Sequence, residues 1–246
     1  MVELTILSPH RDDAAFSLGL ALSRWKTRLV KITVVNFFTE TEYAPRALYT
    51  HVAGISALRR KEDQFALRSI DPRIRLESLN LLDAPLRLDI DLDSICRPET
   101  SAGEEHSEAE KLTQYIRKYF RRGLVLAPLG LGGHVDHLAV RSAALLSAVG
   151  HRLGFYEDLP YATWTPEAML CTKVQQAEES TGAKLRAVVI RNGSSAVARK
   201  RQLIGKYRSQ IAPEEADSMA KHASNYRGGE RIWIPKYGSS WNSLVQ

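Results

Sequence analysis

The stretch 4-LTILSPHRDDAAFSLG-19 decides how the whole chain is read. Its first half continues an apolar run that begins at Val2 and reads as a buried strand to Leu7, closed by Ser8-Pro9. From Asp13 to Trp25 apolar residues return at near-helical spacing, with Phe16, Leu20 and Leu22 prominent. Between strand and helix stand His10, Arg11, Asp12 and Asp13. Adjacent carboxylates repel one another, and nothing in a core favours them. Consecutive side chains do not easily point the same way, so one acid could hold a metal while its neighbour faces a water. Metal-assisted hydrolysis needs that division of labour. The plainer reading is that Asp-Asp merely caps the helix.

Working outward, strand and helix signals alternate. A second strand is predicted over Lys31–Phe38, followed by a polar loop to about Tyr49 and a helix from roughly Gly54 to Ser69. A third strand spans Ile74–Leu81, an amphipathic stretch Ala109–Phe120, and a fourth strand Leu124–Ala127. This alternation predicts an α/β fold, Rossmann-like, with a mostly parallel sheet and helices on both faces. Ligands in such folds bind outside the carboxyl ends of the strands. Past residue 150 the pattern loosens: Arg186–Ile190 reads as a short strand and Ala196–Ser209 as a helix, while 212–246 carries no clear pattern. The whole of 1–246 is expected to be one domain, with a core over about 2–165 and a less regular part over 166–246. Asp89–Ser107, charged and proline-containing, is expected to be a loop over the sheet edge.

The fourth strand runs into 127-APLGLGGHVDHLAVRSA-143. The glycines permit a tight turn and close backbone approach to a ligand. The residues from Leu138 onward read as a helix, which puts His134 and His137 at its start, three apart and on one side of a turn. One imidazole could bind a metal while the other stays free as an acid or an oxyanion partner. Asp136, between them, could orient an imidazole from behind. Alone, a His-x-x-His after a glycine loop is more often a surface feature. Placed at the same sheet edge, the two stretches together supply the two-histidine, one-carboxylate set of an open catalytic zinc site.

Composition narrows the alternatives. The hydrophobic fraction of 44% and charged fraction of 25% are those of an ordinary globular protein. No apolar run approaches the roughly 18 residues of a membrane span, and the start Met-Val-Glu-Leu-Thr lacks the pattern of a signal peptide. Cys96 and Cys171 lack metal-like spacing and fit a reducing, cytoplasmic setting. A net charge of +6 invites a nucleic-acid reading. However, the basic clusters, Arg59-Arg60-Lys61, Arg117-Lys118 with Arg121-Arg122, and Arg199-Lys200-Arg201, fall in predicted helices and read as solvated faces. The expected partner is a small molecule, with no nucleic acid and no membrane; a homo-oligomer is left open.

Ser8-Pro9-His10-Arg11-Asp12-Asp13 resembles the His-Pro-Asp-Asp signature of the zinc-dependent N-acetylglucosaminyl deacetylases, the PIG-L or LmbE-like family. His134-Val135-Asp136-His137 resembles that family's second motif, His-x-x-His. The resemblance also takes in Arg59–Asp63, Asp83–Arg87 and Phe155–Tyr161, and Tyr207–Gln210 suggests that it continues. It implies one zinc per chain held by His10, Asp13 and His137, with Asp12 as the general base toward a zinc-bound water. His134 would stabilise the oxyanion or help protonate the departing amine. The implied reaction is removal of an N-acetyl or related acyl group from an amino-sugar conjugate. Of Arg59 and Arg60, Arg60 is the expected substrate contact. Two positions depart from the family pattern: Arg11 stands where proline is usual, and Ala14 where glutamate often follows. Arg11 is expected to add positive charge at the mouth of the site.

Two other functions are compatible with the same residues. One is an amidase cleaving a larger acyl group or a thiol-sugar conjugate. The other is a non-catalytic sugar- or nucleotide-binding module, against which stands the absence of G-x-G-x-x-G after the first strand.

Overall fold

The structure is a computed structural model that describes residues 2–28, 30–48, 51–237 and 239–245, without the side chains of 101–106. The predicted loop after Lys31–Phe38 therefore ends, at Tyr49, outside the described residues.

The first strand, β1 (Val2–Ser8), pairs in parallel with β2 (Val30–Glu40) on one side and β4 (Leu124–Pro128) on the other. Leu4 sits level with Ile32 and Leu124, and Ile6 with Val34 and Leu126. β1 and β4 read as continuous apolar runs because both of their faces are covered. β3 (Arg75–Leu82) extends the sheet beyond β2, and β5 (Leu153–Tyr156) beyond β4. The C-terminal part then adds β6 (Leu185–Arg191) and β7 (Gly229–Pro235). The seven strands lie in the order β3-β2-β1-β4-β5-β7-β6, and β7 runs antiparallel to both of its neighbours.

The order reverses between β1 and β4. Right-handed crossovers moving outward from β1 to β3 and then from β4 to β5 place helices on opposite faces. One layer joins α1 (Asp13–Trp25), α2 (Val52–Ile70), α7 (Ala196–Ile204) and α8 (Pro213–His222); the other joins α4 (Pro98–Arg122), α5 (Val135–Ser147) and α6 (Glu167–Thr181). Two short helices, α3 (Ala84–Leu88) and α9 (Asn242–Val245), complete the set among the described residues. α1 is buried almost all round, from Asp13 to Leu22 and at Trp25, because it lies between the sheet and the α2 and α7 helices.

Three sequence expectations are corrected. Asp89–Ser107 is not a loop throughout: α4 starts at Pro98, in the first-turn position where proline's missing N–H costs nothing. Its opening turns are polar, so the apolar period that marks a helix begins only at Ala109. The helix expected over Ala196–Ser209 stops at Ile204, where Gly205 leads into turns. The unplaced 212–246 region holds α8, β7 and α9. β7 hid its strand character because Glu230 and Arg231 interrupt it. Their charges are matched from a distance: Lys200 Nζ lies 2.6 Å from Glu230, and Arg231 pairs with Glu157.

Candidate active site and metal centre

The β1–α1 turn explains the paired aspartates. Ser8 Oγ donates to the His10 carbonyl at 2.6 Å and accepts the Ala14 N–H at 3.1 Å, which curls the chain tightly over the strand end. The His10 N–H donates to Asp13 Oδ2 at 2.7 Å, so the Asp13 carboxylate folds back beside the imidazole. Asp12 occupies the N-cap position of α1 but makes no side-chain cap bond. Its carboxylate is left to the cavity, where Arg59 Nη2 stands 3.5 Å away. The capping reading of Asp-Asp is therefore replaced by two separate tasks.

The β4–α5 connection supplies the two other imidazoles. Gly130, Gly132 and Gly133 all adopt positive φ near 75°. At Gly132 a β-carbon would sit 2.1 Å from a ring carbon of Tyr161, so only glycine lets that ring close over the turn. His134 is the N-cap of α5, and its Nδ1 accepts the Asp136 N–H at 3.1 Å. That bond places the proton of the neutral ring on Nε2. His137 follows three residues on, at a ring-centroid distance of 5.1 Å.

The outward nitrogens of two histidines rest on buried carboxylates. His137 Nδ1 is 2.7 Å from Asp158 Oδ1, and His10 Nε2 is 3.0 Å from Asp136 Oδ2. In the neutral rings each of these nitrogens is the donor, which leaves His137 Nε2 and His10 Nδ1 with bare lone pairs. Both bare nitrogens face Asp13: His137 Nε2 at 3.4 Å from Oδ1, and His10 Nδ1 at 3.5 Å from Oδ2. The ligand atoms of His10, Asp13 and His137 lie within 4.8 Å of one another. A second group of equal compactness, His10, His134 and Asp136, is the poorer candidate because its one carboxylate is already committed. Asp136 already accepts from His10, from the Ala84 N–H and from Arg87, and His134 Nδ1 is taken. The donor set His10, Asp13 and His137 thus fits a divalent metal with three protein ligands and an open position.

Charge follows the same geometry. Burial disfavours a His10 cation, but hydrogen bonds and charge from Asp13 and Asp136 outweigh it and raise the group to about 10. His137 is also raised, burial being overcome by Asp13 and Asp158. His134 falls well below the usual histidine range through burial and the neighbouring His10. Burial raises Asp12 despite Arg59, whereas His137 and His10 pull Asp13 down against its own burial.

The cavity above these residues has a volume of about 390 Å³. His10, Asp12, Asp13, His134 and His137 share its lining with Tyr43, Arg59, Asp83, Leu92, Ile95 and Tyr161. Both predicted loop regions reach it, through Tyr43 from one and Leu92 and Ile95 from the other. Arg60 does not. It is exposed on α2, with Nη2 3.4 Å from Asn80, while its neighbour Arg59 is buried and bonds the Tyr43 carbonyl as well as Asp12. Helical geometry turns adjacent residues about 100° apart, and burial selects Arg59. Nor does Arg11 stand at the mouth: it is buried, with Nη1 3.1 Å from Ser78 Oγ on β3. The basic runs are likewise not all solvated, since Arg59 and Lys200 are both buried.

Asp158 was not singled out in the sequence for a role. It falls inside the Phe155–Tyr161 stretch of the resemblance, and it holds His137 with one oxygen and the Gly130 and Leu131 N–H groups with the other, at 2.9 and 3.2 Å. Arg87 and Asp63 play comparable supporting parts. Arg87 pairs with Asp136 at 2.8 Å, and Asp63 accepts from Asn36 and Tyr207 at 2.9 and 3.1 Å.

A reversal point in a mostly parallel sheet, two imidazoles and a carboxylate with converging lone pairs, and a further carboxylate in the cavity define a metal-capable site of the hydrolase type. The PIG-L family, described as GlcNAc-PI de-N-acetylase, matches residues 5–148, and the chain belongs to it. A 2'-N-acetylparomamine deacetylase of Streptomyces fradiae is 34% identical over 160 residues, which is 64% of this chain and 57% of that relative. The match thus spans little more than half of the relative's length. Among solved structures, the zinc-inhibited form of the teicoplanin deacetylase Orf2 superposes with a TM-score of 0.67 at 23% identity, covering 94% of this chain and 97% of that one. The A40926 pseudoaglycone deacetylase Dbv21 gives 0.66 at 23% identity, covering 94% and 96%. The N,N'-diacetylchitobiose deacetylase of Pyrococcus horikoshii gives 0.61 at 16%, covering 95% and 84%. These structures share the fold. Among the described residues no helix is long and apolar enough to cross a membrane.

Proposed function

We propose that the protein is a metal-dependent hydrolase that removes an N-acetyl group from a small amino-sugar conjugate, acting as a single unit in a reducing, cytoplasmic compartment. The observation that carries this reading is the pair of inward-facing nitrogens, His10 Nδ1 and His137 Nε2, that converge on Asp13 beside an Asp12 carboxylate that no cap bond occupies. Family membership supports the reaction class. The relative from Streptomyces fradiae, whose name gives an N-acetylated amino sugar as its substrate, supports the substrate class.

His10, Asp13 and His137 would hold the metal, and an N-and-O donor set of this kind suits zinc. When bound, the metal supplies Lewis acidity toward the acetamide carbonyl and acidifies water. The protein's own groups do the rest. Asp12, kept beside Arg59, accepts a proton from the attacking water as its oxygen bonds to the acetyl carbon. His134, neutral and with its proton on Nε2, donates a hydrogen bond to the oxygen that gains charge as the carbonyl becomes tetrahedral. The carbon–nitrogen bond then breaks, and the proton held on Asp12 passes to the amine, giving acetate and a free amino sugar. Tyr161 and the 89–97 segment close the cavity around these steps.

The test joins elemental analysis to product assay. About one zinc per chain is expected, with His10→Ala losing it. Asp12→Asn should keep the metal yet release acetate from N-acetylated amino sugars some 10²–10⁴ times more slowly. Failure to take up metal, or near-normal turnover by Asp12→Asn, would overturn the reading in favour of a binding module.

A further inference from the structure

Glu62, on α2, and the Tyr207–Gln210 stretch, between α7 and α8, take no part in the proton transfers at the metal site, yet they are built for one another. Glu62 is half-buried and accepts both donors of Ser209: the N–H at 2.8 Å on Oε1 and the hydroxyl at 2.6 Å on Oε2. Gln210 Nε2 adds a longer contact to Oε2 at 3.4 Å. One residue on, Asp63 accepts the Tyr207 hydroxyl at 3.1 Å.

These side-chain bonds matter because the 205–212 segment is neither helix nor strand. The Tyr207 N–H bonds the Ile204 carbonyl, and the Gln210 and Ile211 N–H groups bond the Tyr207 carbonyl, so its backbone turns locally rather than tying itself to the sheet. Its far end forms part of the reaction cavity, through Ile211 and then Glu215 at the start of α8. Ser209 also carries a second wall: its carbonyl accepts the Arg46 N–H at 3.0 Å, and Tyr43, three residues before Arg46, lines the same cavity. Arg59, Glu62 and Asp63 stand at i, i+3 and i+4 on one face of α2. Arg59 bonds the Tyr43 carbonyl at 3.2 Å and Thr41 Oγ1 at 3.4 Å, while the two acids bond the Tyr207–Gln210 stretch. A single helix face therefore fixes two irregular segments, and Ser209 joins them.

We propose that Glu62 is a positioning residue for the substrate: it clamps Ser209 to α2 and so sets the cavity wall of Tyr43, Ile211 and Glu215 in place before the sugar binds. The proposal rests on the N-deacetylase reading. Hydrogen bonds to a charged group are each worth about tenfold or more in such a docking equilibrium. With both Ser209 bonds lost, the docked wall becomes the minor arrangement, and apparent substrate affinity falls by the docked fraction. Once substrate saturates the protein the wall is docked again, and the metal site, held by its own bonds, reacts at its usual rate.

The test reads KM against kcat for acetate release from N-acetylglucosamine and from its methyl glycoside. Metal-loaded Glu62→Ala, a change that suits a helix, should raise KM about tenfold, with kcat within about twofold of the wild type and metal content unchanged. Ser209→Ala, which loses only the hydroxyl bond, should raise KM by less and add nothing in the Glu62→Ala background. Glu62→Gln keeps an acceptor for the N–H and a group that can donate to the hydroxyl, and should recover most of the loss. Hydrogen exchange gives a readout independent of turnover. Amides of 41–48 and 207–212 should both exchange about tenfold faster in Glu62→Ala, with α1 unchanged. An unchanged KM in Glu62→Ala, a fall in kcat beyond twofold, or additive effects in the double variant overturn the proposal. If the metal-loaded wild type releases no acetate from either sugar, that result counts against the deacetylase reading alone, and hydrogen exchange decides the clamp. Faster exchange in both segments upholds it, whereas unchanged exchange, or faster exchange over 207–212 only, removes it.

Discussion

Asp158→Asn is the most searching perturbation of the site, because it changes one charge and almost no volume. The carboxylate is fully buried and accepts three hydrogen bonds: from His137 Nδ1, from the Gly130 N–H and from the Leu131 N–H. An asparagine cannot replace all three. If its carbonyl faces the two backbone groups, its NH2 faces His137 Nδ1. The imidazole proton must then move to Nε2, the nitrogen that faces Asp13. If the amide turns over, His137 keeps its tautomer, but two buried N–H groups lose their acceptor. Each buried donor left unsatisfied costs about 1–3 kcal/mol. Losing an outer partner of a metal-bound imidazole typically lowers metal affinity about 10–100-fold, or about 1.4–2.7 kcal/mol. The expected result is a metal Kd raised by that factor, measured by competition with a chromophoric chelator at fixed pH. A urea melt of the metal-free protein should show a separate loss of about 2–6 kcal/mol, from the two donors together, if the amide is turned over. A variant that binds metal within about twofold of the wild type, at unchanged stability, would refute the claim that Asp158 sets the tautomer of His137.

The remaining expectations concern neighbouring residues. Arg59→Ala removes the cation beside Asp12, so the Asp12 pKa should rise further. The acidic limb of the rate profile then moves to higher pH, whereas Arg60→Ala should leave both rate and profile within about twofold. Metal binding must displace the proton that His10 holds up to a pKa of about 10. Affinity should therefore fall as pH falls, by about tenfold per unit for each proton released, as chelator competition between pH 6 and 8 would read. A flat profile would mean that His10 is neutral in the metal-free protein. Gly132→Ala should cost about 1–3 kcal/mol in a denaturant melt, because alanine meets both a positive φ and the Tyr161 ring. A neutral outcome there would show that the ring moves aside without penalty.

The sheet's central strands and the position of the chemistry are legible in the sequence. The apolar runs at Val2–Leu7 and Leu124–Ala127 are buried on both faces, so their identity was written in composition, and the polar residues just past them had to fall at the sheet edge. His10, Asp12, Asp13, His134 and His137 could all be named because they crowd next to those strand ends, within a few residues of a clear local signal. The tertiary structure decided which side chains act together across long separations. Asp158 meets His137 from 21 residues away, and Asp136 meets His10 from 126, and no local period connects such pairs. Arg59 and Arg60 are equivalent as neighbours in a polar run, and only the packing of α2 against the 41–43 segment buries the first and exposes the second. β7 was hidden for a related reason. Glu230 and Arg231 make its sequence look solvated, and only folding supplies the Lys200 and Glu157 charges that let a strand so written lie inside the sheet.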